Sequence, residues 1–114
     1  MKTISAQALH SAMAGGRAPL LLEALPERYY VQKHLPGAVL FPHDEVEQRA
    51  AATIPDRATP VVVYCASRAC RNSGIAAQRL LQLGYSDVSV YEGGKQEWEE
   101  RGFSFETAEA GTLA

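Results

Sequence analysis

A cysteine that closes an apolar run and opens a loop of small and cationic residues is the group best placed in this chain to do chemistry. The stretch is Val61-Val62-Val63-Tyr64-Cys65-Ala66-Ser67-Arg68-Ala69-Cys70-Arg71. Four β-branched or aromatic residues after Pro60 predict a buried strand, and the apolar spacing from Ser73 to Leu81 predicts a helix. Cys65 therefore falls at a strand-to-helix junction. There the free N–H groups of the first helical turn favour a thiolate or a bound oxyanion. Arg68 and Arg71 add positive charge, so the expectation is a thiol with a lowered pKa. A cysteine kept only for packing would have apolar neighbours. Cys65 is the candidate nucleophile. The substrate cradle is expected from Ala66, Ser67, Arg68, Ala69, Cys70, Arg71 and Asn72, with the two arginines as anion binders. Cys70 reads equally as a small buried side chain or as a redox or resolving partner.

The elements that must hold this loop follow from periodicity and breakers. Ser5 can cap a helix through Leu9, Ala12 and Met13, stopped by Gly15-Gly16. Residues 20–24 read as a short buried strand, and Pro26 can open a helical turn through Glu27 to Tyr30. A strand is expected over 37–41, a polar helix from Asp44 to Ala52, and the Val61 to Tyr64 strand before a helix from Ala76 to Leu83. Gly84, a Val88 to Tyr91 strand and a helix around Trp98 complete the order. Strands alternating with helices predict an α/β domain with a mostly parallel central sheet and helices on both faces. In such sheets ligands sit beyond the carboxyl ends of the strands, where Cys65 falls. The domain is expected over residues 1–103, with 104–114 as a C-terminal tail.

The totals narrow the function classes. A chain of 114 residues with 46% apolar and 21% charged content suits one globular domain. Its net charge of -2 gives no reason to expect nucleic acid as partner. No apolar run approaches the ~20 residues of a membrane span, and the first residues lack a secretory h-region, so the expected location is the cytoplasm, with no membrane association. In a reducing compartment two cysteines five positions apart are more often catalytic than structural. His10, His34 and His43 form no ligand cluster with metal spacing, so no metal and no cofactor are expected.

Three motifs resemble the rhodanese-like domains. Leu20-Leu21-Leu22-Glu23, then Glu27-Arg28-Tyr29-Tyr30 and His34-Leu35-Pro36-Gly37-Ala38, is similar to the family's first signature. Tyr64-Cys65 with Ser73 and the following helix is similar to the second, and Tyr91-Glu92-Gly93-Gly94 with Trp98 and Gly102 to the closing pattern. Together they cover roughly residues 18–103 in the family's order. Two departures stand out. Glu23 and Leu25 occupy places where the family usually has Asp and Arg around the end of the first strand. The loop counts seven residues from Cys65 to Arg71 rather than six, a length that resembles the phosphatase and arsenate-reductase branch. Counted back from Ala76-Ala77, Ser73 instead matches the loop-ending Ser and Asn72 falls where Arg usually stands, and on that count the loop resembles an expanded sulfurtransferase loop containing Cys70.

The resemblance implies a sulfurtransferase that moves sulfane sulfur through a Cys65 persulfide. The donor would be a small sulfur-containing anion such as thiosulfate or a protein persulfide, and the acceptor cyanide, a small thiol or a protein. The competing readings are a phosphatase or arsenate reductase using the loop as an oxyanion ring, although Tyr64 stands where such enzymes usually carry His, and a redox-sensing binding module switching Cys65 and Cys70. Trp98 and the glycines at 93 and 94 are expected to serve packing and a turn near the loop. His34 is expected to make structural hydrogen bonds.

Overall fold

Alternate residues of the three central strands face opposite layers, and this alternation divides the core in two. The structure is a computed structural model that describes residues 2–107. It orders β1 (Lys2–Thr3), α1 (Ala6–Ala14), β2 (Leu20–Glu23), α2 (Glu27–Gln32), β3 (Val39–Leu40), α3 (Val46–Thr53), β4 (Val61–Tyr64), α4 (Asn72–Gln82), β5 (Val88–Tyr91) and α5 (Gly94–Glu100). The five strands form one sheet in the order β1-β5-β4-β2-β3, and every pairing is parallel. On one face Leu22, Val61, Val63, Val88 and Val90 pack against Val46 and Ala50 of α3 and Ala76, Ala77 and Leu80 of α4. On the other, Leu21, Val62, Tyr64 and Tyr91 pack against Ala6 and Leu9 of α1 and Trp98 of α5. The expected α/β architecture, a parallel sheet with helices on both faces, is the one observed.

Helix boundaries follow their caps and apolar stripes. The Ser5 hydroxyl accepts from the N–H of Ala8 at 3.1 Å, as expected of an N-cap, and α1 stops before Gly16, whose φ is +76°. Ser73, Ala76, Ala77 and Leu80 are the buried positions of α4, an i, i+3, i+4, i+7 stripe. That stripe begins with a serine, so the helix starts at Asn72, four residues before the first alanine of the expected span. The helix expected from Asp44 begins at Val46. The edge strand β1 was not legible, because two exposed residues carry no alternation; it exists through its register with Ser89 and Val90 of β5.

The expected tail is corrected at its near end. The Trp98 indole N–H donates to the carbonyl of Ser104 at 2.9 Å, Phe103 and Phe105 pack on the second core layer, and His34 and Glu106 exchange two backbone hydrogen bonds of 2.8 Å. Residues 104–106 are thus tied to the body, and 108–114 lie outside the described residues. Among the described residues no helix is long and apolar enough to cross a membrane.

Candidate active site

The end of β4 delivers Cys65 to the carboxyl edge of the sheet, between β2 and β5. The side chain is 1% exposed. Its Sγ stands 3.4 Å from both the carbonyl oxygen of Cys70 and Oγ of Ser73. The loop folds over the sulfur because the N–H of Cys70 turns back to the carbonyl of Ser67 at 3.1 Å. Among the described residues the N–H groups of Ala66, Ser67, Arg68 and Ala69 find no protein acceptor, so they are free to bind an anion. Asn72 is the first residue of α4 and Arg71 its exposed N-cap.

The expected lowering of the thiol pKa is overturned. Burial pushes the Cys65 thiol up from its ordinary value and the neighbouring Cys70 thiol adds to the rise, while the Ser73 hydroxyl and N–H pull the other way. Strand-to-helix position alone did not reveal how completely the loop would roof the sulfur. Both cysteines are free thiols.

The loop arginines diverge. Arg68 swings toward α5 and β5, 3.8 Å from Glu92 and 3.5 Å from Glu97, in exposed pairs worth little stability. Arg71 carries no salt bridge among the described residues. Both arginines border a cleft of about 680 Å³ that runs from Cys70 and Ser73 along α4 past Ile75, Gln78 and Gln82, and Cys65 is not part of its wall. Arg79 also borders this cleft, held by Glu47 on α3.

The other side of the loop is clamped by α5. The N–H groups of Lys95 and Gln96 donate to the carbonyls of Cys65 and Ala66 at 3.1 and 2.9 Å. Such an approach requires Gly94, whose φ is +63° and whose added Cβ would lie 2.5 Å from the carbonyl oxygen of Cys65. Gly94→Ala is therefore expected to cost roughly 2–5 kcal/mol, combining the left-handed backbone with the forced displacement of the loop. A thermal melt of this variant, set against Gly102→Ala, checks it: Gly102 has a φ of +75° but open space around it, so a clash at the loop makes the Gly94 variant clearly the worse.

Sequence reasoning marked Glu23 only as a departure from the family's first signature, and missed Lys95. Glu23 is fully buried; its Oε1 accepts from the Tyr64 hydroxyl at 2.7 Å, and its Oε2 lies 2.8 Å from the Lys95 ammonium. Lys95 also donates to the carbonyl of Tyr29 at 3.0 Å, and Tyr64 accepts from the N–H of Leu35 at 3.1 Å. This network joins α5, β4 and β2 directly beneath the loop. Burial pushes the Glu23 carboxyl up from its ordinary value, and hydrogen bonds from Lys95 and Tyr64 pull it back. His34 has the expected structural role: it is buried, with Nδ1 2.8 Å from the carbonyl of Tyr30 and its ring stacked on Tyr30. Among the described residues no three His, Cys, Asp or Glu side chains gather where they could hold a metal.

Residues 5–101 match the family model of the rhodanese-like domain. The chain belongs to that family. This rhodanese-like domain is similar over 64 residues, 56% of its length, to thiosulfate sulfurtransferase PspE of Escherichia coli strain K12, at 42% identity. It covers 59% of that relative. Its fold matches the crystal structure of thiosulfate sulfurtransferase from Pseudomonas aeruginosa with a TM-score of 0.83 at 30% identity, covering 94% of this chain and 20% of that one. It also matches a rhodanese with anions from E. coli, with a TM-score of 0.67 at 30% identity, over 79% of this chain and 99% of the other.

Proposed function

We propose that this rhodanese-like domain is a sulfurtransferase in which Cys65 carries the sulfur as a persulfide. The observation that carries the reading is the Cys65 thiol, buried at the end of the central strand beneath a loop in which, among the described residues, the N–H groups of Ala66 to Ala69 have no protein acceptor. The similarity to two thiosulfate sulfurtransferases supports it. The Cys65 thiolate attacks the outer sulfur of thiosulfate, the S–S bond breaks, and sulfite leaves with the electron pair. The outer sulfur then passes to a thiophilic acceptor: cyanide, a small thiol or a protein. Ala66 to Asn72 supply N–H groups and positive charge for the departing anion and for the persulfide. No cofactor is needed for these steps. Two free thiols on one loop suit the reducing cytoplasm.

Mass spectrometry of the protein treated with thiosulfate tests the reading. A persulfide adds one sulfur on Cys65, whereas a module that merely switches Cys65 and Cys70 loses two hydrogens. Turnover of an aryl phosphate or of arsenate without any persulfide would favour an oxyanion-processing loop instead.

Two further results are expected. Among the described residues Arg71 has no salt bridge, whereas Arg79 is held by Glu47, so Arg71→Ala should lower kcat/KM for thiosulfate about tenfold and Arg79→Ala clearly less. Equal losses would remove the charge argument. Because burial holds the Cys65 thiol protonated at neutral pH, sulfite release should rise with pH well into the alkaline range, roughly tenfold per unit while the thiol predominates. A rate flat from pH 7 to 9 would contradict that.

A further inference from the structure

The two thiols of the loop differ in access. Cys65 is 1% exposed, roofed by the carbonyl of Cys70, and absent from the wall of the large cleft. Cys70 is partly exposed and forms the loop end of that cleft, turned back toward Cys65 by its hydrogen bond to Ser67. The cleft follows α4 from Arg71 to Gln82, eleven residue steps or about 16 Å of helix at 1.5 Å per residue. At about 680 Å³ it is far larger than a thiosulfate-sized anion needs. Its wall offers the exposed side chain of Ile75, the amides of Gln78 and Gln82 and the cation of Arg71, which together suit an organic molecule with amide and carboxylate groups. A molecule seated there meets Cys70, whereas Cys65 is not part of the wall.

We propose that Cys70 is a second sulfur carrier, which takes the sulfane sulfur from Cys65 and presents it in the α4 cleft to an organic thiol acceptor. The proposal rests on the sulfurtransferase reading above. In the relay the Cys70 thiolate attacks the outer sulfur of the Cys65 persulfide. A bond forms between Cys70 Sγ and that sulfur, the bond from that sulfur to Cys65 Sγ breaks, and its electron pair goes to Cys65. The proton given up by Cys70 ends on Cys65. One thiol and one persulfide give one persulfide and one thiol, so no oxidant or reductant is needed.

The test uses the full chain and one equivalent of thiosulfate labelled in its outer sulfur, followed by alkylation and tryptic digestion. Cleavage after Arg57, Arg68 and Arg71 puts Cys65 on the peptide 58–68 and Cys70 on 69–71. Label is expected on both peptides in the wild type, on Cys65 alone in Cys70→Ser, and on neither in Cys65→Ser. Discharge of the loaded protein into glutathione should slow about tenfold or more in both Cys70→Ser and Cys70→Ala. The relay is overturned if Cys70 takes label in Cys65→Ser or never takes it in the wild type. It is equally overturned if both Cys70 variants discharge at the wild-type rate, or if loading yields a 65–70 disulfide with one equivalent of sulfide. A wild type that loads label and releases sulfite while failing these criteria loses only the relay; one that releases no sulfite loses the sulfurtransferase reading as well.

Discussion

Cys65→Ser is expected to abolish sulfur transfer, by at least about a thousandfold, with the fold intact, because an alkoxide does not form and hold a persulfide at this site. The fold should survive because the change is small and the new hydroxyl has partners ready. The carbonyl of Cys70 and the hydroxyl of Ser73, each 3.4 Å from Sγ, can satisfy it, which limits the cost to about 1 kcal/mol. Sulfite release from thiosulfate and a thermal melt on the same preparation check both halves. A serine variant that transfers sulfur at the wild-type rate would take the nucleophile away from Cys65. One that fails to fold would say that the sulfur is structural.

Lys95→Met is expected to be the most damaging substitution away from the cysteine. It leaves a fully buried Glu23 carboxylate facing no cation, a loss of about 3–5 kcal/mol for breaking a buried pair, or a fall in Tm of more than about 10 °C. The effect should depend on pH in a definite direction. Burial already holds the folded-state carboxyl above its ordinary value, and removing Lys95 takes away the contribution that lowers it most. A carboxyl whose folded pKa is raised favours the fold below its unfolded pKa and loses that advantage as pH rises through the folded one. The deficit of Lys95→Met relative to wild type should therefore be largest near pH 8 and shrink as the pH falls and Glu23 takes up a proton. Adding Glu23→Gln should recover a large part of it at pH 8. Melts at the two pH values check this; a deficit independent of pH would show that the ammonium acts through packing alone. Because the N–H of Lys95 holds the carbonyl of Cys65, the variant should also lose sulfur-transfer activity while still folded at low temperature.

Much of the architecture was legible because it depends on local patterns. The short apolar runs of β2, β4 and β5, the capping Ser5, the stops at Gly16 and Gly84, and the small-residue stripe of α4 each express one local pattern or one backbone requirement within a few residues. The same holds for Gly94, where a pair of glycines implied a turn near the loop and the structure brings that position against the Cys65 loop. Features that depend on partners distant in the chain were not legible. Among the described residues the strand β1 pairs with β5 alone, and residues 104–106 are held by His34, Gly37, Trp98 and the second core layer.

For the site, chain order and hydrophobic period were enough to put Cys65 at a strand-to-helix junction and to name the residues of the loop that follows it. Tertiary structure alone decided how deep that thiol lies, and so turned the expected lowering of its pKa into a rise, because desolvation is a property of everything packed around a group. It also decided that Arg68 turns away to Glu92 and Glu97 while Arg71 carries no salt bridge among the described residues, and that Cys70 borders a cleft whose wall does not include Cys65. Glu23 and Lys95 are 72 positions apart, and Glu23 and Tyr64 are 41 apart. No spacing rule links such residues; the parallel register that places Glu23 beside Tyr64, and the close turn at Gly94 that lowers Lys95 onto them, exist only once the sheet is assembled.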